Sequence, residues 1–139
     1  MESLLARYSE STYALLRFVA GLLFACHGAQ KLFGWLGGQT VAPASLLGVA
    51  GIIELVGGTC IALGLLTRPL AFLCSGEMAV AYFMSHAPRA LWPIQNHGEL
   101  AVIYAFLFLY VAAHGAGALS LDASLGRGRR SPLLRPRPV

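Results

Sequence analysis

His27 and Lys31 stand four residues apart in the run Cys26-His27-Gly28-Ala29-Gln30-Lys31-Leu32-Phe33-Gly34. On a helix that spacing places an imidazole and an ammonium on one face. Both groups donate hydrogen bonds, and an imidazole also exchanges protons near neutral pH. Glu54, in the next apolar run, adds a carboxyl of opposite sign. A trio of this kind suits a polar head group, with histidine and lysine donating to a carbonyl oxygen while the carboxyl takes or gives a proton. A charge inside an apolar helix is costly, so each of these groups needs a partner from another segment.

The segments that must supply those partners are greasy. Of 139 residues, 57% are hydrophobic and 12% charged, and the mean hydropathy is +0.67, which excludes an ordinary soluble domain of this length. Runs at about 13–33, 46–66, 69–87 and 100–117 each approach the ~20 residues needed to cross a hydrocarbon core. The expected fold is therefore all-α, an integral membrane four-helix bundle over residues 1–121, with a basic, disordered cytoplasmic tail over 122–139. Met1 to Thr12 reads as a short interfacial helix leading into the first span. Leu23-Phe24-Ala25-Cys26 is a poor lipoprotein box, because Phe24 is bulky where a small residue is needed, so the first run is expected to be retained as a span.

The formal net charge is +4, and all of the excess lies in the tail. Up to Leu121, Arg7, Arg17, Lys31, Arg68 and Arg89 balance Glu2, Glu10, Glu54, Glu77 and Glu99. A neutral body offers nucleic acid no basic face. With four spans, Arg7, the turn at Arg68 and the arginine-rich tail share one side and only Arg89 lies on the other, which predicts N-in and C-in. The expected location is a membrane, multi-pass, in contact with the lipid bilayer.

Small residues accompany the charges. Arg17, Gly21, Phe24, Gly28 and Lys31 form one stripe on the first span, and Gly51, Glu54 and Gly58 form another on the second. Glycine at such positions lets a neighbouring helix approach closely. Depth along the spans, at ~1.5 Å per residue, sorts the ionisable groups into two clusters. The outer one holds His27, Lys31, Glu54 and Glu99, with His97 nearby. The inner one holds Arg17, Glu77 and His114, with Arg17 and Glu77 expected to form a structural ion pair. Histidines scattered over different spans lack paired metal-ligand spacing, so no metal is expected. Cys26, Cys60 and Cys74 include no Cys-x-x-Cys, which disfavours disulfide chemistry.

These residues carry a resemblance. Arg17, Gly21, His27-Gly28 and Lys31-Leu32-Phe33-Gly34, then Gly51, Glu54, Gly57-Gly58, Leu63-Gly64-Leu65 and Thr67-Arg68-Pro69, then Met78, Ala81, Asn96, Gly98-Glu99-Leu100-Ala101, Gly117 and Ser120-Leu121-Asp122 resemble the DoxX family of small four-span bacterial inner-membrane proteins. One position departs. His97 stands where the Asn-Gly-Gly-Glu form of the motif has glycine, which adds an ionisable group and puts a Cβ in the turn before the last span. The resemblance implies a subunit or partner of redox complexes, quinone-linked or protective against thiol and oxidative stress. It implies a redox partner protein, since the sequence holds no flavin, haem or iron–sulfur motif and no intrinsic cofactor is evident. Quinone is the expected ligand, at His27, Lys31, Glu54, Glu99 and His97. Three functional classes are compatible with this reading: a non-autonomous oxidoreductase subunit, a membrane scaffold or assembly protein whose buried charges are structural, and a small-solute transporter working as a homo-oligomer.

Overall fold

The computed structural model describes residues 6–126. Residues 127–139 of the expected tail, and the first five residues of the expected interfacial helix, lie outside them. Within that range the fold is all-helical, with no strand. Four long helices follow one another: α1 (Ser9–Phe33), α2 (Leu46–Leu63), α3 (Thr67–Ala81) and α4 (Glu99–His114). Single helical turns occupy Trp35–Gly37, Pro93–Asn96 and Leu121–Ser124. By length and composition α1 and α2 can cross a membrane, whereas α4 is apolar but shorter. Of the expected interfacial segment, residues 6–7 are helical, Tyr8 forms a turn, and α1 begins at Ser9.

Local chemistry sets the helix ends. Gly34 ends α1 with φ +67°, its N–H bonded to the Gln30 carbonyl, the left-handed position that glycine fills at no steric cost. Ser45 caps α2, its Oγ accepting from the Gly48 N–H at 3.1 Å. Gly64, at φ +72°, closes α2 at Leu63, short of the expected residue 66. Pro69 falls in the first turn of α3, where a missing N–H costs nothing. Past Ala81 that helix loosens into a π-helical turn, Tyr82–His86, with the Ala87 N–H reaching back to the Tyr82 carbonyl. Gly115, at φ +93°, stops α4 at His114.

Glycine governs how close α1 and α2 come. A Cβ built on Gly58 would lie 2.6 Å from the Gly21 carbonyl oxygen, and one built on Gly21 would lie 2.6 Å from the Gly58 oxygen. A Cβ built on Gly28 would lie 2.5 Å from the Gly51 carbonyl oxygen, which pairs these two positions along the same line. Seven residues separate the glycines on each helix, so the two pairs form one antiparallel seam. Phe24 leaves that seam to pack on Tyr104 and Phe108 of α4, with ring centroids 5.2 and 4.8 Å apart. Ser75 of α3 donates to the Ala105 carbonyl of α4 at 2.7 Å. The core formed by Phe24, Ile61, Ala71, Cys74, Phe108 and Val111 is almost fully buried. The outer faces are apolar too: Leu15, Phe72, Phe83 and Phe106 are 63–70% exposed, leaving none of the four helices a polar outer stripe.

Candidate functional site

The glycine seam delivers Lys31 to α2. A Cβ on Gly51 would lie 3.0 Å from the Lys31 Cβ, and Glu54 follows Gly51 by about one turn. The Lys31 ammonium donates to Glu54 Oε1 and pairs with it. This is the one ion pair among the described residues. The Glu54 side chain is 3% exposed and that of Lys31 is 29%, so the pair is sealed on the carboxylate side and open on the ammonium side. Glu54 Oε2 is buried with no hydrogen-bond partner. His27, one turn before Lys31, is half-buried and meets Tyr104 edge-on, with centroids 6.4 Å apart.

Glu77 does not pair with Arg17, contrary to expectation. It lies within electrostatic reach of both Glu54 and Lys31, and its Oε2 is likewise buried without a partner. The reason is register. Glu54 lies nine residues before Leu63 and Glu77 ten residues after Thr67, which places them ~14 and ~15 Å from the same turn. Glu99 and His97 do not join. Both are exposed, Glu99 in the first turn of α4 and His97 just before it. His97 adopts φ +57°, so the turn keeps the left-handed conformation that glycine would supply. Asn96 fixes that turn: fully buried, it accepts from the Gly98 N–H at 2.8 Å and donates to the Ala90 carbonyl and the Tyr82 hydroxyl.

Arg17 is spent at the other end of the molecule. It is 2% exposed and donates to the Ile61, Ala62 and Leu119 carbonyls at 2.6, 3.0 and 2.7 Å. These contacts satisfy the open carbonyls at the end of α2, where a cation also complements the helix dipole. His114 is exposed and lies against Tyr13, centroids 4.0 Å apart, while the Tyr13 hydroxyl donates to the Gly115 carbonyl. Arg68 donates to the last carbonyls of α4, Ala112, Ala113 and His114.

Asp122 completes this end and corrects the expected tail boundary. It is buried, and its carboxylate accepts the Leu66 and Thr67 N–H groups at 3.0 Å each. Its own N–H donates to the Gly64 carbonyl at 2.8 Å. The folded body therefore runs past residue 121. Serine three residues before Ala123, an N-cap spacing, was the signal in the sequence: Ser120 Oγ accepts from the Ala123 N–H. Among the described residues no group of His, Cys, Asp or Glu is arranged to hold a metal ion, and the three thiols are free.

The DoxX family model matches residues 12–87, a stretch that contains Arg17, His27, Lys31, Glu54 and Glu77. An uncharacterised protein of Haemophilus influenzae is 42% identical over 125 residues, covering 85% of this chain and 93% of that protein. A Bacillus subtilis protein named "Putative oxidoreductase CatD" is 26% identical over 122 residues, 84% of this chain and 89% of that one. No solved structure matches the chain.

Proposed function

The chain belongs to the DoxX family, and on that premise we propose that it is a four-span protein of the bacterial inner membrane, both termini cytoplasmic, that binds a quinone or similar small redox ligand within an oxidoreductase complex. The observation that carries this reading is the buried Lys31–Glu54 pair with Glu77 beside it. A polar clasp that only fixed helix register would be expected to satisfy its own atoms. Here two carboxyl oxygens are buried and unpartnered, and a ligand with hydroxyl or carbonyl groups is their natural complement. One ammonium also stands within electrostatic reach of two carboxyls, a surplus of proton-exchanging groups over what one ion pair needs.

Span number is supported by length and surface. The α3 helix and its π turn run from Thr67 to His86, ~30 Å at helical rise, which matches a hydrocarbon core. Exposed Phe72 on α3, Phe83 on the π turn, and Ile103 and Phe106 on α4 suit acyl chains. A quinone, when bound, supplies coupled electron and proton transfer. Lys31, open on its ammonium side, donates to the head group; Glu54 holds the lysine in place; Glu77 gives or takes the proton; His27 stands one turn away as a second donor. The redox cofactor would be held by a partner protein, which would exchange electrons with the bound head group. The name of the Bacillus subtilis relative supports an oxidoreductase role.

The test is binding of decylubiquinone to the purified protein in nanodiscs, wild type against Lys31→Met and Glu54→Gln. Each substitution is expected to weaken binding about tenfold, ~1.4 kcal/mol. A folded wild type that binds no quinone overturns the ligand reading and leaves the buried charges to assembly.

A further inference from the structure

A groove of about 550 Å³ runs between α2 and α3, within the ~300–1,000 Å³ range of small-molecule sites. Leu47, Ala50 and Ile53 form one wall, and Phe72, Gly76 and Val80 the other. The π turn carries Met84 and Ser85 to its far end, a local widening of the kind that recurs at functional sites. One ionisable side chain lines it, Glu77, the same carboxyl whose Oε2 is buried without a partner. Nothing lies within 4 Å of a Cβ built on Gly76, so the absent side chain leaves space instead of close packing.

We propose that this groove is the lateral access route and seat of the ligand, a lipophilic quinone or quinol with its head group on Glu77 and its apolar part along the wall of α2. The proposal rests on the function proposed above and adds to it where the ligand lies. Three observations select the occupant. The groove lies beside the helix faces that carry exposed Leu47 and Phe72, so a molecule dissolved in the bilayer reaches it without crossing water. An acyl chain of a phospholipid would fill the walls but give the Glu77 carboxyl no partner, and a buried polar group without one is costly. A quinone offers a carbonyl and a quinol a hydroxyl, either of which pairs with a carboxyl. Glu77 also lies within electrostatic reach of Lys31 and Glu54, so a head group seated on it adjoins the proposed donor.

Gly76 supplies a blocking experiment. Gly76→Leu puts four carbons into open space, and Glu77→Leu removes the polar handle while keeping the wall apolar. Decylubiquinone binding to wild type and both variants is measured in phosphatidylethanolamine/phosphatidylglycerol nanodiscs, with thermal midpoints recorded alongside. Each variant is expected to weaken binding tenfold or more, and Gly76→Leu to leave the midpoint within about a degree of wild type. Wild-type binding that neither variant changes overturns the groove while sparing the Lys31–Glu54 site, and identifies the groove as a lipid contact. No wild-type binding at all overturns both.

Discussion

At the scale of residues, the sharpest consequence concerns Asp122. Its carboxylate is the acceptor for two backbone N–H groups at the start of α3, and it lies within electrostatic reach of Arg17. Asp122→Ala would strand both donors in a buried setting, and a hydrogen bond to a charged group contributes ~1.5–3 kcal/mol. The expected loss is about 2–4 kcal/mol of stability, with Asp122→Asn losing less because one carbonyl oxygen remains. Thermal unfolding followed by a thiol-reactive dye reads this directly, since Cys74 is fully buried in the folded state. An Asp122→Ala variant as stable as wild type would remove the capping role. Lys31 and Glu54 were legible in the sequence because buried charges of opposite sign on facing stripes have few places to go. Asp122 was not, because it stands five residues before the first of the tail arginines and composition assigns it to the tail. Glu77 was misassigned for a different reason: depth alone offers Arg17 as a partner, but Arg17 donates instead to carbonyls at the end of α2 and to Leu119.

At the scale of elements, the glycine seam and the groove make opposite demands on glycine. Gly58 sits where a Cβ would enter the backbone of α1, so Gly58→Leu must push the helices apart. Overpacking typically costs ~1–3 kcal/mol, and here the displacement also draws Lys31 away from Glu54. That variant should unfold at a lower temperature and lose quinone binding together. Gly76→Ala, facing open space on an exposed part of α3, should instead hold or raise the midpoint, because alanine favours a helix over glycine by up to ~1 kcal/mol. Measuring both midpoints in one detergent checks the contrast; equal destabilisation would mean that the two glycines share a packing role. The seam was readable as small residues at helical spacing beside charges. The π turn was not, because Tyr82–His86 carries no proline or glycine to mark it, and its geometry answers to packing against the neighbouring loop, where His86 Nδ1 lies 3.1 Å from the Asn96 carbonyl oxygen.

At the scale of the whole molecule, the hydrogen bonds decide which ends lie together. Arg17 ties the first turns of α1 to the end of α2 and to Leu119, and Asp122 ties the last described helical turn to the start of α3. Residues 9–17, 64–67 and 115–126 therefore share one end, and 34–45 with 87–98 the other. If the four long helices span the bilayer, Arg7, Arg68 and the tail arginines fall on a single side, and Arg89 alone on the opposite one. On the topology proposed above, the positive-inside rule would make that shared side the cytoplasmic one. Cysteines introduced one at a time test it in intact cells with a membrane-impermeant maleimide. Gln39→Cys, in an exposed loop, should label from outside, and Leu125→Cys, exposed at the other end, only after permeabilisation. Cys26, Cys60 and Cys74 lie within helices and should stay unlabelled in both conditions. Labelling of both new cysteines from outside would break the four-span arrangement. The reversed pattern would keep the fold and invert it, which would also move the groove between α2 and α3, with Glu77 at its wall, from the outer leaflet to the inner one.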